Sequence, residues 1–179
     1  LDIAKDVFAK HAPWPAAQRI WQSRLSRVAD WFVAGEIIRQ QTQTPLSFEQ
    51  NAEMPIPTLD VTLKGKIDRI DRAKDGRVAV YDYKTGAPPS PLQQTHFDKQ
   101  LMLSALMTEH GAVKGVDQSE VGEVSYIGLG ANPKFDPIPL EIGDTSAILT
   151  ELTGLLSAYQ TRTRGYTSRR AVDTTAFAG

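Results

Sequence analysis

The chain has 179 residues, enough for one domain with a real hydrophobic core. It contains no cysteine, which excludes disulfides, thiolate zinc sites, cysteine nucleophiles and an iron–sulfur cluster held by cysteines. Twenty basic and 21 acidic side chains give a net charge of −1, which argues against a protein that coats nucleic acid by global charge but allows a local site. No apolar run approaches the roughly 20 residues of a membrane helix, no signal-peptide pattern opens the chain, and the expected compartment is the cytoplasm.

From about Pro15 to Gln40, apolar residues recur at three- and four-residue steps (Ile20, Trp21, Leu25, Val28, Trp31, Phe32, Ile37, Ile38). This predicts an amphipathic helix whose aromatics belong to the core. Residues 42–57 are polar and carry prolines, and only Leu46–Glu49 suggests a short strand. Alternation over Val61–Asp71 predicts a strand, Asp75-Gly76 a turn, and Arg77–Tyr83 a second strand. The Pro88-Pro89-Ser90-Pro91 stretch is a break. Helical periodicity returns from Phe97 to about His110, Val121–Leu129 reads as a third strand, and Thr145–Tyr159 as a last amphipathic helix. The expected fold is α/β, a small mixed sheet flanked by helices, in a single domain over residues 1–179. Residues 1–14 and 160–179 are expected at its periphery, the latter as a loose tail. Because the chain opens at Leu1 in mid-pattern, it is expected to be a segment of a longer protein.

The hairpin carries the chemistry. Asp82 and Lys84 are two apart and share a strand face. A two-residue loop at Asp75-Gly76 would set Asp68 opposite Tyr83 and send the carboxylates to opposite faces. A three-residue loop, Lys74-Asp75-Gly76, pairs Asp68 with Asp82, with Cβ atoms roughly 4.5–5.5 Å apart. The second register is expected, because two carboxylates that close are suited to a hard divalent cation, Mg²⁺ or Mn²⁺. An ammonium at Lys84 on the same face can balance charge as a phosphodiester is attacked. A bare Asp-x-Lys triplet on a surface hairpin would carry little weight. The Gly-x-x-Asp strand before it and the Thr85-Gly86 exit give it weight.

Gly65-Lys66-Ile67-Asp68-Arg69-Ile70-Asp71 with Asp82-Tyr83-Lys84-Thr85-Gly86 resembles the PD-(D/E)XK nuclease superfamily in its RecB-like branch. With Pro88-Pro89-Ser90 and Gln100-Leu101-Met102-Leu103, it is similar to the C-terminal nuclease domains of the AddB family of double-strand-break repair proteins. The resemblance implies a restriction-endonuclease-like core and a DNA exonuclease that works beside an AddA-like helicase-nuclease subunit. It implies Asp68 and Asp82 as metal ligands, Lys84 as the catalytic lysine and the Tyr83 carbonyl as a further ligand. Gln100 would open the Gln-x-x-x-Tyr helix motif near the active site and the DNA. Two departures stand out. Ser104 occupies the tyrosine position of that motif. No residue before Asp68 matches the upstream histidine of RecB-like domains, His11 being in a poor context, so the helix that carries it is expected to precede Leu1.

Other polar residues have plainer readings. Glu36 is a minor candidate for the metal and a better one for the helix surface. Arg69 and Asp71 face away from Asp68 and suit a structural ion pair. Lys64, Lys66, Arg72, Lys74 and Arg77 suit a solvated hairpin surface. His96 and Lys99 suit solvent more than phosphate. Arg162, Arg164, Arg169 and Arg170 could track a DNA strand or lie in a loose tail. A competing reading, an inert nuclease-like module that binds DNA or scaffolds a repair complex, has no need of the clustered carboxylates. A related RecB-like exonuclease outside break repair is the other alternative.

Overall fold

The structure is a computed structural model and describes residues 2–12 and 14–165. A five-stranded mixed sheet carries the fold: β1 (Gln43–Ile56), β2 (Val61–Ala73), β3 (Val78–Lys84), β4 (Val121–Gly128) and β5 (Lys134–Pro139), ordered as numbered. Only β3 and β4 run parallel; the other neighbours are antiparallel. Among the described residues five α-helices surround it, α1 (Asp2–His11), α2 (Pro15–Arg39), α3 (Pro91–His96), α4 (Gln100–Glu109) and α5 (Asp144–Tyr159), with a short 3₁₀ helix at Pro57–Leu59. Helices α3 and α4 make the crossover that the parallel β3–β4 pair requires.

The central strand β3 is buried on both faces and sorts its side chains by parity. Val78 and Val80 enter the larger core with Leu101, Ala105 and Leu106 of α4 and Ile148 of α5. Ala79 and Tyr81 enter a smaller core with Ile127, backed by Trp31 and Phe32 of α2. Asp82 and Lys84 therefore continue the α4 face, and Tyr83 the α2 face.

The hairpin closes with the three-residue loop. The Ala73 amide donates to the Arg77 carbonyl at 2.9 Å, and Gly76 takes φ +92°, the left-handed value that glycine accepts without cost. Arg69 then stands opposite Tyr81 and Arg72 opposite Val78. Continuing that register by one residue sets Asp68 opposite Asp82, as expected.

Sequence reading missed several elements. The whole of Gln43–Ile56 is a strand, paired with β2 from Gln43↔Ala73 to Ile56↔Val61. Its prolines are tolerated because β1 is an edge strand, with Pro45 at a register shift. Strand β5 holds Pro137 and Pro139 and is the opposite edge. Helix α1 and the short α3 were not foreseen either; α3 is started by a Ser90–Gln93 capping box. Helix α2 has the expected bounds, but its apolar face is only partly used. Val28 is buried, whereas Ile20, Trp21, Ile37 and Ile38 are more than half exposed. At the C-terminal end of α2, Glu36 and Arg39 are the side chains turned to the sheet, so Ile37 and Ile38 between them face outward.

On the α2 face the sheet buries a set of charges. The Arg69 guanidinium, 3% exposed, donates to both oxygens of the fully buried Asp71 at 2.6 and 2.5 Å. It also donates to Glu36 Oε1 at 2.8 Å and to the Tyr83 hydroxyl at 3.2 Å. Arg39 pairs with the same Glu36 oxygen. Burial opposes the charge on Glu36, yet the bonds from Arg39 and Arg69 outweigh it and hold the carboxyl below its ordinary range. Burial likewise opposes the Arg69 cation, and its bonds to Asp71, Tyr83 and Glu36 more than compensate.

Arg69→Met would strand Asp71 without a partner. A loss of about 3–5 kcal/mol is expected, read as a lower urea midpoint. Adding Asp71→Leu should recover part of that loss, because a buried pair is worth less than its broken half costs.

Candidate active site

Beyond Arg69 the two strands of the hairpin part. No backbone pair joins Asp68 to Asp82; instead Asp68 Oδ2 accepts the Tyr83 amide at 2.9 Å. A side chain has replaced the carbonyl that a continuing ladder would have offered. The amide and carbonyl of a strand residue point to the same side, so the Tyr83 carbonyl also faces this gap. The Lys84 carbonyl points the other way and accepts from Leu129 N at 2.7 Å.

Asp82 closes the site from β3. It is 6% exposed, and its Oδ2 is buried without a hydrogen-bond partner. Lys84 Nζ lies 2.9 Å from that oxygen, close enough for an ion pair but off-line for a hydrogen bond. Burial pushes the Asp82 carboxyl above its ordinary range. Lys84 opposes this, and the neighbouring charges of Asp68 and Asp98 add to it.

Lys84 is held on three sides. Its ammonium donates to Gln100 Oε1 at 2.9 Å, faces Asp82, and stands 5.5 Å from the centre of the Tyr126 ring. An ammonium has three donors, so at least one stays available to a ligand. The Tyr126 hydroxyl donates to Asp98 Oδ1 at 3.0 Å, and that oxygen also takes the first amide of α4, Gln100 N, at 3.3 Å. Burial first, then the bond to Asp98, raises the Tyr126 hydroxyl well above its ordinary range, so it stays a neutral donor.

The structure therefore gathers Asp68, Asp82, Lys84, the Tyr83 backbone and Gln100. It also adds two residues that sequence reading did not single out for the site, Asp98 and Tyr126. Tyr126 bears on the departure at Ser104. Ser104 Oγ is spent on the Gln100 carbonyl at 3.0 Å, and the tyrosine beside Lys84 comes from β4 instead. A signal for Asp98 exists: an aspartate readily takes the backbone amide two residues on, here that of Gln100.

The remaining candidates lie elsewhere. Glu36 belongs to the ion cluster on the α2 face. Lys64 pairs with Glu53, Lys66 with Glu49, and Arg77 with Asp75, all on the surface. Lys99 lies 3.4 Å from Glu151, and His96 ends α3. Arg164 lies over the Tyr159 ring, and Arg169 and Arg170 fall outside the described residues.

Among the described residues, no three His, Asp or Glu side chains converge as a metal cage, and no helix is long and apolar enough to cross a membrane. The donor set does fit a cation that keeps several waters: two hard carboxylates, one with a buried oxygen that faces only the Lys84 ammonium, and a carbonyl facing the gap.

The sequence pattern of the PD-(D/E)XK nuclease superfamily matches residues 2–171. The chain belongs to that superfamily. An uncharacterised protein of Rickettsia felis is 26% identical over 133 residues, covering 73% of this chain and 15% of the relative. An uncharacterised protein of Rickettsia typhi is 28% identical over 118 residues, covering 63% of this chain and 14% of its own length. The chain thus spans a small part of the curated relatives it matches. The crystal structure of SSO0001 overlays 90% of this chain and 69% of its own with a TM-score of 0.42 at 15% identity, too distant to add to the assignment.

The raised Asp82 carboxyl has a consequence for stability. As pH rises through the ordinary carboxylate range near about 4, the unfolded chain releases this proton before the folded one does. Stability contributed by Asp82 at low pH is lost as pH rises through its folded pKa. Asp82→Asn is therefore expected to stabilise the metal-free protein at neutral pH by about 0.5–2 kcal/mol, or about 2–4 °C in Tm per kcal/mol. The gain should vanish at about pH 3, where both states keep the proton. Thermal denaturation followed by circular dichroism at the two pH values measures it.

Proposed function

We propose that this chain is a metal-dependent deoxyribonuclease domain that hydrolyses phosphodiesters with Asp68, Asp82 and Lys84, with Gln100 holding the lysine. Membership of a nuclease superfamily supports nuclease activity. The observation that carries the residue assignment is Asp82, a buried carboxyl near Asp68 whose charge is balanced by the Lys84 ammonium 2.9 Å from Oδ2. Such an arrangement costs stability, and a purely structural role gives no return for it.

Asp68, Asp82 and the Tyr83 carbonyl would hold Mg²⁺ or Mn²⁺. A divalent ion there polarises a phosphoryl oxygen and lowers the pKa of bound water. The chain's own residues do the rest. The Tyr83 amide fixes one Asp68 oxygen and leaves the other for ligation. Gln100 and Tyr126 keep the Lys84 ammonium beside Asp82, where its spare donor meets a phosphate oxygen or the attacking water. Asp98 anchors both, through the Tyr126 hydroxyl and the first amide of α4.

The finer reading follows the motif likeness at 63–105. The chain would be an exonuclease domain of the AddB kind, acting in the cytoplasm on strands that an AddA-like helicase-nuclease subunit unwinds from double-strand ends. The small share of the curated relatives that it matches, 15% and 14%, accords with one domain of a long protein. The net charge of −1 gives little long-range attraction for DNA, so cleavage by the chain alone should be slow and should rise when a partner feeds the strand in.

Cleavage of end-labelled linear single-stranded DNA with Mg²⁺ or Mn²⁺ tests the assignment, on the chain alone and within its full-length complex. Asp82→Ala and Lys84→Ala should each lower the rate by about a hundredfold or more, while helicase unwinding persists. A rate near that of the unsubstituted protein in either variant would remove these residues from the catalytic set.

A further inference from the structure

Lys84 has two oxygen partners of different kinds. Its Nζ stands 2.9 Å from Asp82 Oδ2 and donates to Gln100 Oε1, also at 2.9 Å. The first is a buried carboxylate on the lysine's own strand. The second is an exposed amide at the start of α4.

Three observations bear on what the ammonium does there. First, negative charge exceeds positive charge around it. Among the described residues, Lys84 is the one cation paired with Asp82, and Asp68 and Asp98, whose charges also act on Asp82, are paired with none. Second, Asp82 is buried, and a buried carboxylate needs a cation close by. Its Oδ2 faces only the ammonium. Third, Asp82 belongs to the donor set that fits a divalent ion. A metal bound through either of its oxygens would crowd the ammonium, and two cations on one carboxylate repel. The lysine, however, is not held by Asp82 alone. Gln100 Oε1 and the Tyr126 ring, 5.5 Å from Nζ, remain as partners when the carboxylate is taken.

We infer that Lys84 is the resident counter-ion of Asp82, displaced toward Gln100 when a divalent ion binds. The metal-free site is thereby charge-balanced by its own side chain. On exchange, the ammonium loses an acceptor and keeps its berth, so a further donor turns to the phosphate. Loading of the metal and presentation of the lysine become one event. This inference rests on the nuclease reading and deepens its metal site.

Mn²⁺ binding to the nucleic-acid-free protein, followed by calorimetry, tests the exchange without reading cleavage. Affinity is read for the site that Asp82→Ala abolishes. Lys84→Met keeps the side-chain length and removes the charge. It should bind Mn²⁺ about tenfold more tightly than its parent, because no ammonium has to leave. Gln100→Leu removes the berth and leaves the ammonium to Asp82. It should bind Mn²⁺ about threefold more weakly. The opposite signs separate exchange from general damage, which would weaken both. The metal-free melting temperature of Lys84→Met should fall, and Mn²⁺ should raise it by more than it raises the parent's. Gln100 is exposed, so its variant should fold, and that arm decides if Lys84→Met does not. Affinity in Lys84→Met equal to or below the parent's would overturn the exchange, as would unchanged or tighter binding in Gln100→Leu. In either case, parental Mn²⁺ binding that Asp82→Ala removes would leave the metal site standing. A parent whose Mn²⁺ binding does not depend on Asp82 would overturn both.

Discussion

The length of one turn decides which face of the sheet each charge occupies. With three residues in the loop, Asp68 and Asp82 share the α4 face, and Arg69, Asp71 and Tyr83 share the other. One residue fewer would reverse every side chain of β2 relative to β3. The register is enforced from below. A slip would drive the Arg69 guanidinium into the aliphatic core around Val78, Val80 and Leu106 and leave Glu36 without its strand partner. The buried ions on the α2 face thus guarantee the placement of the carboxylates on the opposite face.

The site forms where the sheet stops obeying its own pattern. β2 and β3 pair only over Arg69–Arg72 and Val78–Tyr81, then diverge. The divergence frees Tyr83 N–H and C=O, and Asp68 takes the amide. The same two-residue step carries Asp82 to the rim of the core, where burial resists its charge but solvent is still near Lys84. Burial and charge are opposed here, and the crossover brings Asp98, just before α4, and Gln100, at its start, to steady Tyr126 and the lysine.

Much of this was legible in the sequence. Strong periodicity placed α2, β2, β3, α4, β4 and α5 within a few residues, and the suitability of paired carboxylates at Asp68 and Asp82 for a cation, rather than the Asp-Gly turn itself, pointed to the right register. The edges were not legible, because β1 and β5 mix prolines and acids into their alternation and owe their conformation to a neighbouring strand. Ala52, Met54 and Ile56 do alternate inward, but Asn51, Glu53 and Pro55 between them mask a strand signal. The α2 residues were over-read, since periodicity reports a face and not the extent of what covers it. Tyr126 was invisible as a site residue because its partners, Lys84 and Asp98, come from distant segments, whereas the Asp98 bond to the Gln100 amide is local.

The prolines of the edge strands also bear on how copies of this chain meet. A sheet edge offers unpaired amides and carbonyls to any passing strand. This sheet has two edges, and on β1 the 112–114 segment already takes the Glu53 amide and the Asn51 carbonyl. Pro45 and Pro55 on one, and Pro137 and Pro139 on the other, remove donors along both edges. Growth by strand addition, the route toward fibrils, is thereby discouraged. The exposed apolar residues of α1 and α2, such as Ile3, Ile37 and Ile38, offer side chains and no open backbone ladder. Self-association through them would be reversible helix packing, so a concentrated preparation should gather into oligomers that dilution disperses.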